Sequence, residues 1–167
     1  MATVTPGDSA TIKSDTIEGV LQELCTYLQV GEFNATNNPN GLNNIVGQHL
    51  QDSKVFTCNY SIPVRQELNS TGQIVYSAVD YLVDFPFTPG TGGTLKSTTC
   101  AGYLMEAIIY CQNLESNVAK NPNRENNITG SFNTDSTVFS GTIDLPISVS
   151  LNASGNVVYV ANEYLLS

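Results

Sequence analysis

The stretch Val138-Phe139-Ser140-Gly141-Thr142-Ile143-Asp144-Leu145-Pro146-Ile147-Ser148-Val149-Ser150-Leu151 sorts by parity into two sets. Phe139, Gly141, Ile143, Leu145, Ile147, Val149 and Leu151 form an apolar set, and the intervening residues form a mostly polar one. Period two with one apolar side describes a long strand of an antiparallel sheet with one wet face. Pro146 has no N–H to give to a ladder, so an edge, a bulge or a bend is expected there, and Pro63 holds the matching place earlier in the chain.

That match belongs to a series. Slid against itself by about 83 residues, the chain aligns without a gap. Val4-Thr5-Pro6-Gly7 falls on Phe87-Thr88-Pro89-Gly90, and Asn38-Pro39-Asn40 on Asn121-Pro122-Asn123. Asn43-Asn44-Ile45-Val46-Gly47 meets Asn126-Asn127-Ile128-Thr129-Gly130, and Tyr81-Leu82 meets Tyr164-Leu165. Roughly two positions in five are identical, so the chain reads as a tandem duplication with copies 1–83 and 84–167. Each copy alone is small for an independent core, and the two are expected to pack as one pseudo-two-fold unit.

Upstream of the long strands, Ile17, Val20, Leu21, Leu24, Cys25 and Leu28 recur at helical spacing, with Glu18, Gln22, Glu23 and Thr26 opposite. Asp15 with Glu18 reads as a capping box, and Gly31 as a left-handed C-terminal residue. Cys100, Tyr103, Leu104, Ala107, Ile108 and Cys111 repeat the stripe. Asn-rich loops follow at 34–44 and 117–127, where Asn, Pro and Gly favour turns. Runs at 45–51 and 73–82 flank the first long strand. Turns are expected at Asp52-Ser53, Asn69-Ser70-Thr71-Gly72, Asp135-Ser136 and Asn152-Ala153-Ser154-Gly155. The expected class is α+β, with each copy a helix followed by a three-stranded antiparallel meander and the two helices covering the sheet.

Composition narrows the function. Of 167 residues, 41% are hydrophobic and 13% charged, which suits a folded chain with a real core. Six Lys and Arg against fifteen Asp and Glu give a formal net charge of -9, a field that repels phosphate backbones and anionic lipid. Neither nucleic acid nor membrane is therefore expected as a partner. No apolar run of about eighteen residues exists for a membrane span, and MATVTPGDSAT lacks the basic and apolar regions of a secretory signal. Synthesis in the cytoplasm is expected.

No catalytic residue, cofactor or metal ligand set is expected from the residues. Cys25, Cys58, Cys100 and Cys111 fall at non-equivalent positions of the two copies and form no Cys-x-x-Cys pair, so they read as buried free thiols. His49 stands alone and aligns with Phe132, which favours a structural role at the sheet margin over a triad or zinc site. Glu23 with Glu106, and Glu32 with Glu115, recur in both copies. Glu23 lies off the apolar stripe, as on a solvated face. The segment Thr88 to Thr94 is Gly-rich but lacks a phosphate-binding signature.

What remains are the retained loop motifs. Thr5, Pro6 and Gly7 and their matches Thr88, Pro89 and Gly90 read as extended arms that lie on the surface or lace a neighbouring subunit. Removing residues 1–11 is then expected to leave the fold of each copy intact. Asn38, Pro39 and Asn40, with Asn121, Pro122 and Asn123, either close their own loops or form a contact surface presented twice. The expected function is a non-enzymatic structural or assembly subunit, such as a component of a virion, phage tail or injection machine, binding other protein subunits as a homo-oligomer. The alternative is a small-molecule or peptide-binding module with a pocket between helices and sheet, where Tyr27, Tyr110, Tyr76 and Tyr159 gather.

Overall fold

A computed structural model describes residues 3–50, 54–135 and 137–166. The expected turn at Asp52-Ser53, and Ser136 of the other, lie outside them. Two helices, α1 (Ile17–Phe33) and α2 (Cys100–Glu115), cover one face of a six-stranded antiparallel sheet, so the class is α+β. The strands are β1 (Ile45–His49), β2 (Val55–Leu68), β3 (Ile74–Ala78), β4 (Ser131–Phe132), β5 (Val138–Leu151) and β6 (Val157–Ala161).

The helices form where the stripe requires, and all twelve stripe residues are buried in one continuous core. Their starts differ from expectation. Thr16 and Thr99 are the N-caps, each accepting at 3.1 Å from Gly19 N and Gly102 N, one residue beyond the expected Asp15. Glu18, placed on the polar side by spacing, is fully buried, and its Oε2 accepts from Tyr164 N at 3.0 Å and Leu165 N at 3.1 Å. Gly31 sits inside α1 and does not end it: a Cβ there would press on Leu82 Cδ1 and the Phe85 ring.

The sheet order is β1-β2-β5-β4, joined by the two long strands in register from Val55↔Pro146 to Pro63↔Val138. The hydrogen bonds separate the two edges of β2. Ser61 N donates to Asn44 O and Val79 N to Pro63 O, so odd residues serve β1 and β3, whereas Val64 N reaches Thr137 O of the β5 side. Thus β1 and β3 occupy the same edge of β2, one after the other, and the expected meander with its middle strand between the outer two is not what forms. The same holds for β4 and β6 on β5, through Asp144 N→Asn127 O and Asn162 N→Pro146 O.

This arrangement explains the prolines. β2 and β5 are central strands, yet Pro63 and Pro146 fall where the outer partner changes, from β1 to β3 and from the β4 segment to β6. A missing N–H at that gap breaks no ladder bond, and the proline carbonyl still accepts. Beyond each proline the long strand and its hairpin partner run on as a two-stranded ribbon. Gly72 (φ 82°) and Gly155 (φ 83°) close the ribbon turns at the expected places. The face of the sheet away from the helices is polar, with Thr57 Oγ1 donating to Asp144 Oδ1 at 2.6 Å and Thr142 Oγ1 to Asn59 Oδ1 at 2.9 Å.

Candidate functional site

The Thr-Pro-Gly arms find each other. Asp8 N donates to Thr91 O at 2.8 Å and Thr91 N returns to Asp8 O at 3.2 Å, while Thr94 N reaches Thr5 O and Thr11 N reaches Thr88 O. Side chains complete the clasp, with Thr5 N donating to Thr94 Oγ1 and Thr88 N to Thr11 Oγ1. Gly7 and Gly90 are required by the closeness of the two backbones: a Cβ on Gly7 would overlap Pro89 O, and Gly90 holds φ 73° against Asp8 O. Val4 and Ala10 are buried beneath the clasp. Removal of residues 1–11 therefore strips part of the core, contrary to the expectation that each fold stays intact.

The Asn loops divide into an inner and an outer part. Asn38, 4% exposed, donates through Nδ2 to Glu32 O (2.9 Å) and Leu42 O (2.7 Å), and its Oδ1 accepts from Leu42 N (3.1 Å). Asn121, 1% exposed, makes the same three bonds to Glu115 O, Glu125 O and Glu125 N. These two amides staple their loops from within, while Pro39, Asn40, Pro122 and Asn123 stay exposed.

The recurring carboxylates are braces. Glu32 accepts from Asn44 N, Ile45 N and Tyr81 Oη, and Glu115 from Asn127 N, Ile128 N and Tyr164 Oη. Burial pushes the Glu115 carboxyl up and the Tyr81 and Tyr164 hydroxyls far above the usual phenol range. Glu23 is not idle on a solvated face either, since it accepts from Lys13 N, Ser14 N and Ser14 Oγ, as Glu106 does from Lys96 N, Ser97 N and Ser97 Oγ. Each carboxylate ties the chain segment before or after its helix to the helix itself.

All four cysteines are buried free thiols. The neighbouring Cys58 sulfur and burial push the Cys25 thiol well up, and burial, with the Asp80 carboxylate behind it, takes Cys100 to about 12. Such thiols are poor nucleophiles. His49 ends β1 with its ring 4.3 Å from Tyr159 and 5.2 Å from Phe56. The aligned Phe132 is 4.5 Å from Tyr76 and 5.0 Å from Phe139. The tyrosines gather only in part: Tyr27, packed on Phe85, and Tyr159, packed on His49, line one cleft of about 550 Å³ between α1 and β6, whereas Tyr76 packs on Phe132 and lies elsewhere. Among the described residues no group of three His, Cys, Asp or Glu is placed to hold a metal ion.

Other features stand open to solvent. The ribbon tips expose Leu68 (70%) opposite Ile74 (58%), and Leu151 (68%) opposite Val157 (55%). A groove of about 450 Å³ also runs between β3 and the N-terminal half of α2. The sequence offers a pocket between helices and sheet without placing it, and the apolar tips are visible as alternation that continues past each proline. No helix among the described residues is long and apolar enough to cross a membrane. Comparison of the chain with protein-family models, with curated proteins and with solved structures found no match.

Proposed function

We propose that the chain is a non-enzymatic assembly subunit that binds further copies of itself or other protein subunits through its two ribbon tips. The observation that carries this reading is the pair of exposed apolar tips, Leu68 with Ile74 and Leu151 with Val157. A two-stranded ribbon is marginally stable in water, and cross-strand apolar pairs left open at its end gain by being covered. Because β2 and β5 run antiparallel, the two ribbons leave the sheet at opposite ends. A subunit with one contact at each end builds rings if the rotation closes and filaments if it does not.

We further propose that the unit is a tandem duplication of copies 1–83 and 84–167 packed about a pseudo-two-fold axis. The support is the self-match of the sequence together with contacts that recur at the same offset: Asn38 and Asn121, Glu32–Tyr81 and Glu115–Tyr164, Glu23 and Glu106. A ring or shell, as in a virion, phage tail or injection machine, is the setting that suits such a fused pair, since three chains would offer six similar arms.

Native mass spectrometry over a dilution series tests the reading. The expected result is a closed oligomer that falls to smaller species when either tip is made polar, by Leu68→Ser with Ile74→Ser or by Leu151→Ser with Val157→Ser. A monomer at every concentration, or an oligomer indifferent to both pairs of substitutions, overturns it.

A further inference from the structure

The outer edges of β3 and β6 are chemically unlike. On β3, Gln73 and Val79 face β2, through Asn69 N→Gln73 O (2.9 Å) and Val79 N→Pro63 O (2.7 Å). By alternation Tyr76 and Ala78 turn their backbone groups to the opposite edge. On β6, Asn156 and Asn162 face β5 in the same way, so Tyr159 and Ala161 point out. There the edge is closed from within. Gln22 of α1 donates through Nε2 to Tyr159 O (3.5 Å), and its Oε1 accepts from Ala161 N (3.2 Å). One side-chain amide thus makes to the edge the two bonds that the N–H and C=O of one residue in an added strand would make.

At the matching position of α2 stands Met105, which has no N–H to give and only a weak acceptor sulfur. Among the described residues nothing bonds Tyr76 O or Ala78 N on that edge. A groove of about 450 Å³ lies there, lined among others by Tyr76, Ala78, Gly102, Met105 and Ile109; the matching cleft of about 710 Å³ beside β6 differs in that Gln22 in its wall already takes the edge groups. Ile109 is exposed, and the single carboxylate on the wall, Glu106, is already engaged by Lys96 N, Ser97 N and Ser97 Oγ.

We propose that this groove takes an extended, non-acidic segment of a partner polypeptide as an added strand on β3. Its backbone is held by Tyr76 O and Ala78 N, as Gln22 holds Tyr159 O and Ala161 N. Its alternate side chains are apolar and meet Met105 and Ile109. Strand addition draws affinity from the main chain and specificity from every second side chain. The overall charge of -9 selects against an acidic segment. This inference rests on the reading of the chain as a protein-binding subunit, and it names a second contact distinct from the ribbon tips.

The probe is an acetylated, amidated peptide of about six residues alternating Thr and Val, the usual strand length, flanked by Lys. Its twin carries N-methyl groups on alternate amides. Binding is read by NMR titration and by hydrogen exchange of the Ala78 amide. One peptide per chain is expected, with Ala78 exchange slowed and the N-methylated twin at least about tenfold weaker, as loss of one to two hydrogen bonds implies. Met105→Gln, which supplies the closing amide, should weaken binding by a similar factor. Gln22→Met should open a second site and make protection of the Ala161 amide depend on peptide.

Absence of saturable binding overturns the proposal, as does binding unmoved by N-methylation or by Met105→Gln. Protection of Ala78 by raised protein concentration alone, without peptide, also overturns it, because a second copy is then the occupant. The two readings fail separately: peptide binding is measured on the tip variants, which lack the assembly contact, and oligomer mass is measured on Met105→Gln, which lacks the open edge.

Discussion

Asn38 offers the sharpest test of how the loops are held. Its amide is 4% exposed and makes three hydrogen bonds, two as donor to carbonyls at 2.9 and 2.7 Å and one as acceptor at 3.1 Å. Asn38→Ala removes all three and leaves Glu32 O, Leu42 O and Leu42 N without their partner. With about 0.5–1.5 kcal/mol net per bond, the expected loss is about 2–4 kcal/mol. Asn38→Asp is more informative. It keeps the acceptor for Leu42 N but aims an ionised oxygen at two carbonyl oxygens where the donor stood. At neutral pH it should therefore destabilise more than alanine does. Because that environment raises the introduced carboxyl's folded pKa above its unfolded value, the part of the penalty due to ionisation is absent below about pH 4 and grows as pH rises toward the folded pKa, while the second donor stays lost at every pH. Urea unfolding of wild type and both variants at pH 7 and pH 4, each referred to wild type at the same pH, measures it. Asn121→Ala and Asn121→Asp repeat the experiment on the second loop. If aspartate is as harmless as wild type at pH 7, or alanine loses less than about 0.5 kcal/mol, the amide is no staple and the reasoning fails.

The other expectations are simpler to measure. Burial raises the Glu18 carboxyl, so the folded state holds its proton longer than the unfolded chain does, and wild-type stability should fall relative to Glu18→Gln as pH climbs from about 4.3 toward the folded pKa; a difference that is the same at pH 4 and pH 7 would count against this. Leu21→Ala and Leu104→Ala, both at fully buried positions, should each cost roughly 2–5 kcal/mol in urea unfolding, and a near-zero loss would mean the helix faces are misplaced. The four buried thiols should resist a disulfide reagent at pH 8 until the chain is unfolded. Rapid labelling of Cys25 or Cys100 in the native protein would contradict the burial that raises them.

Side-chain periodicity made much of the fold legible. Period two marked the long strands, helical spacing marked both apolar stripes, and glycine at 72 and 155 marked the ribbon turns. These are local properties, fixed by which side of an element each residue occupies. The self-match also drew attention to Asn38 and Asn121, although it did not say that they turn inward.

What the residues could not reveal is which distant segment arrives at each face. Helical spacing put Glu18 among polar residues, and it is the return of Tyr164 and Leu165 from the far end of the chain that buries it. Nothing local says that the two Thr-Pro-Gly arms pair with each other, that β1 and β3 share one edge of β2, or that Gln22 closes an edge Met105 leaves open. The elements, the apolar stripe of each and the repeated loop motifs thus follow from neighbours along the chain. Tertiary structure alone decided the pairing of edges and the fate of each polar group, because a hydrogen bond between segments far apart in sequence exists only once the whole chain has brought them within reach.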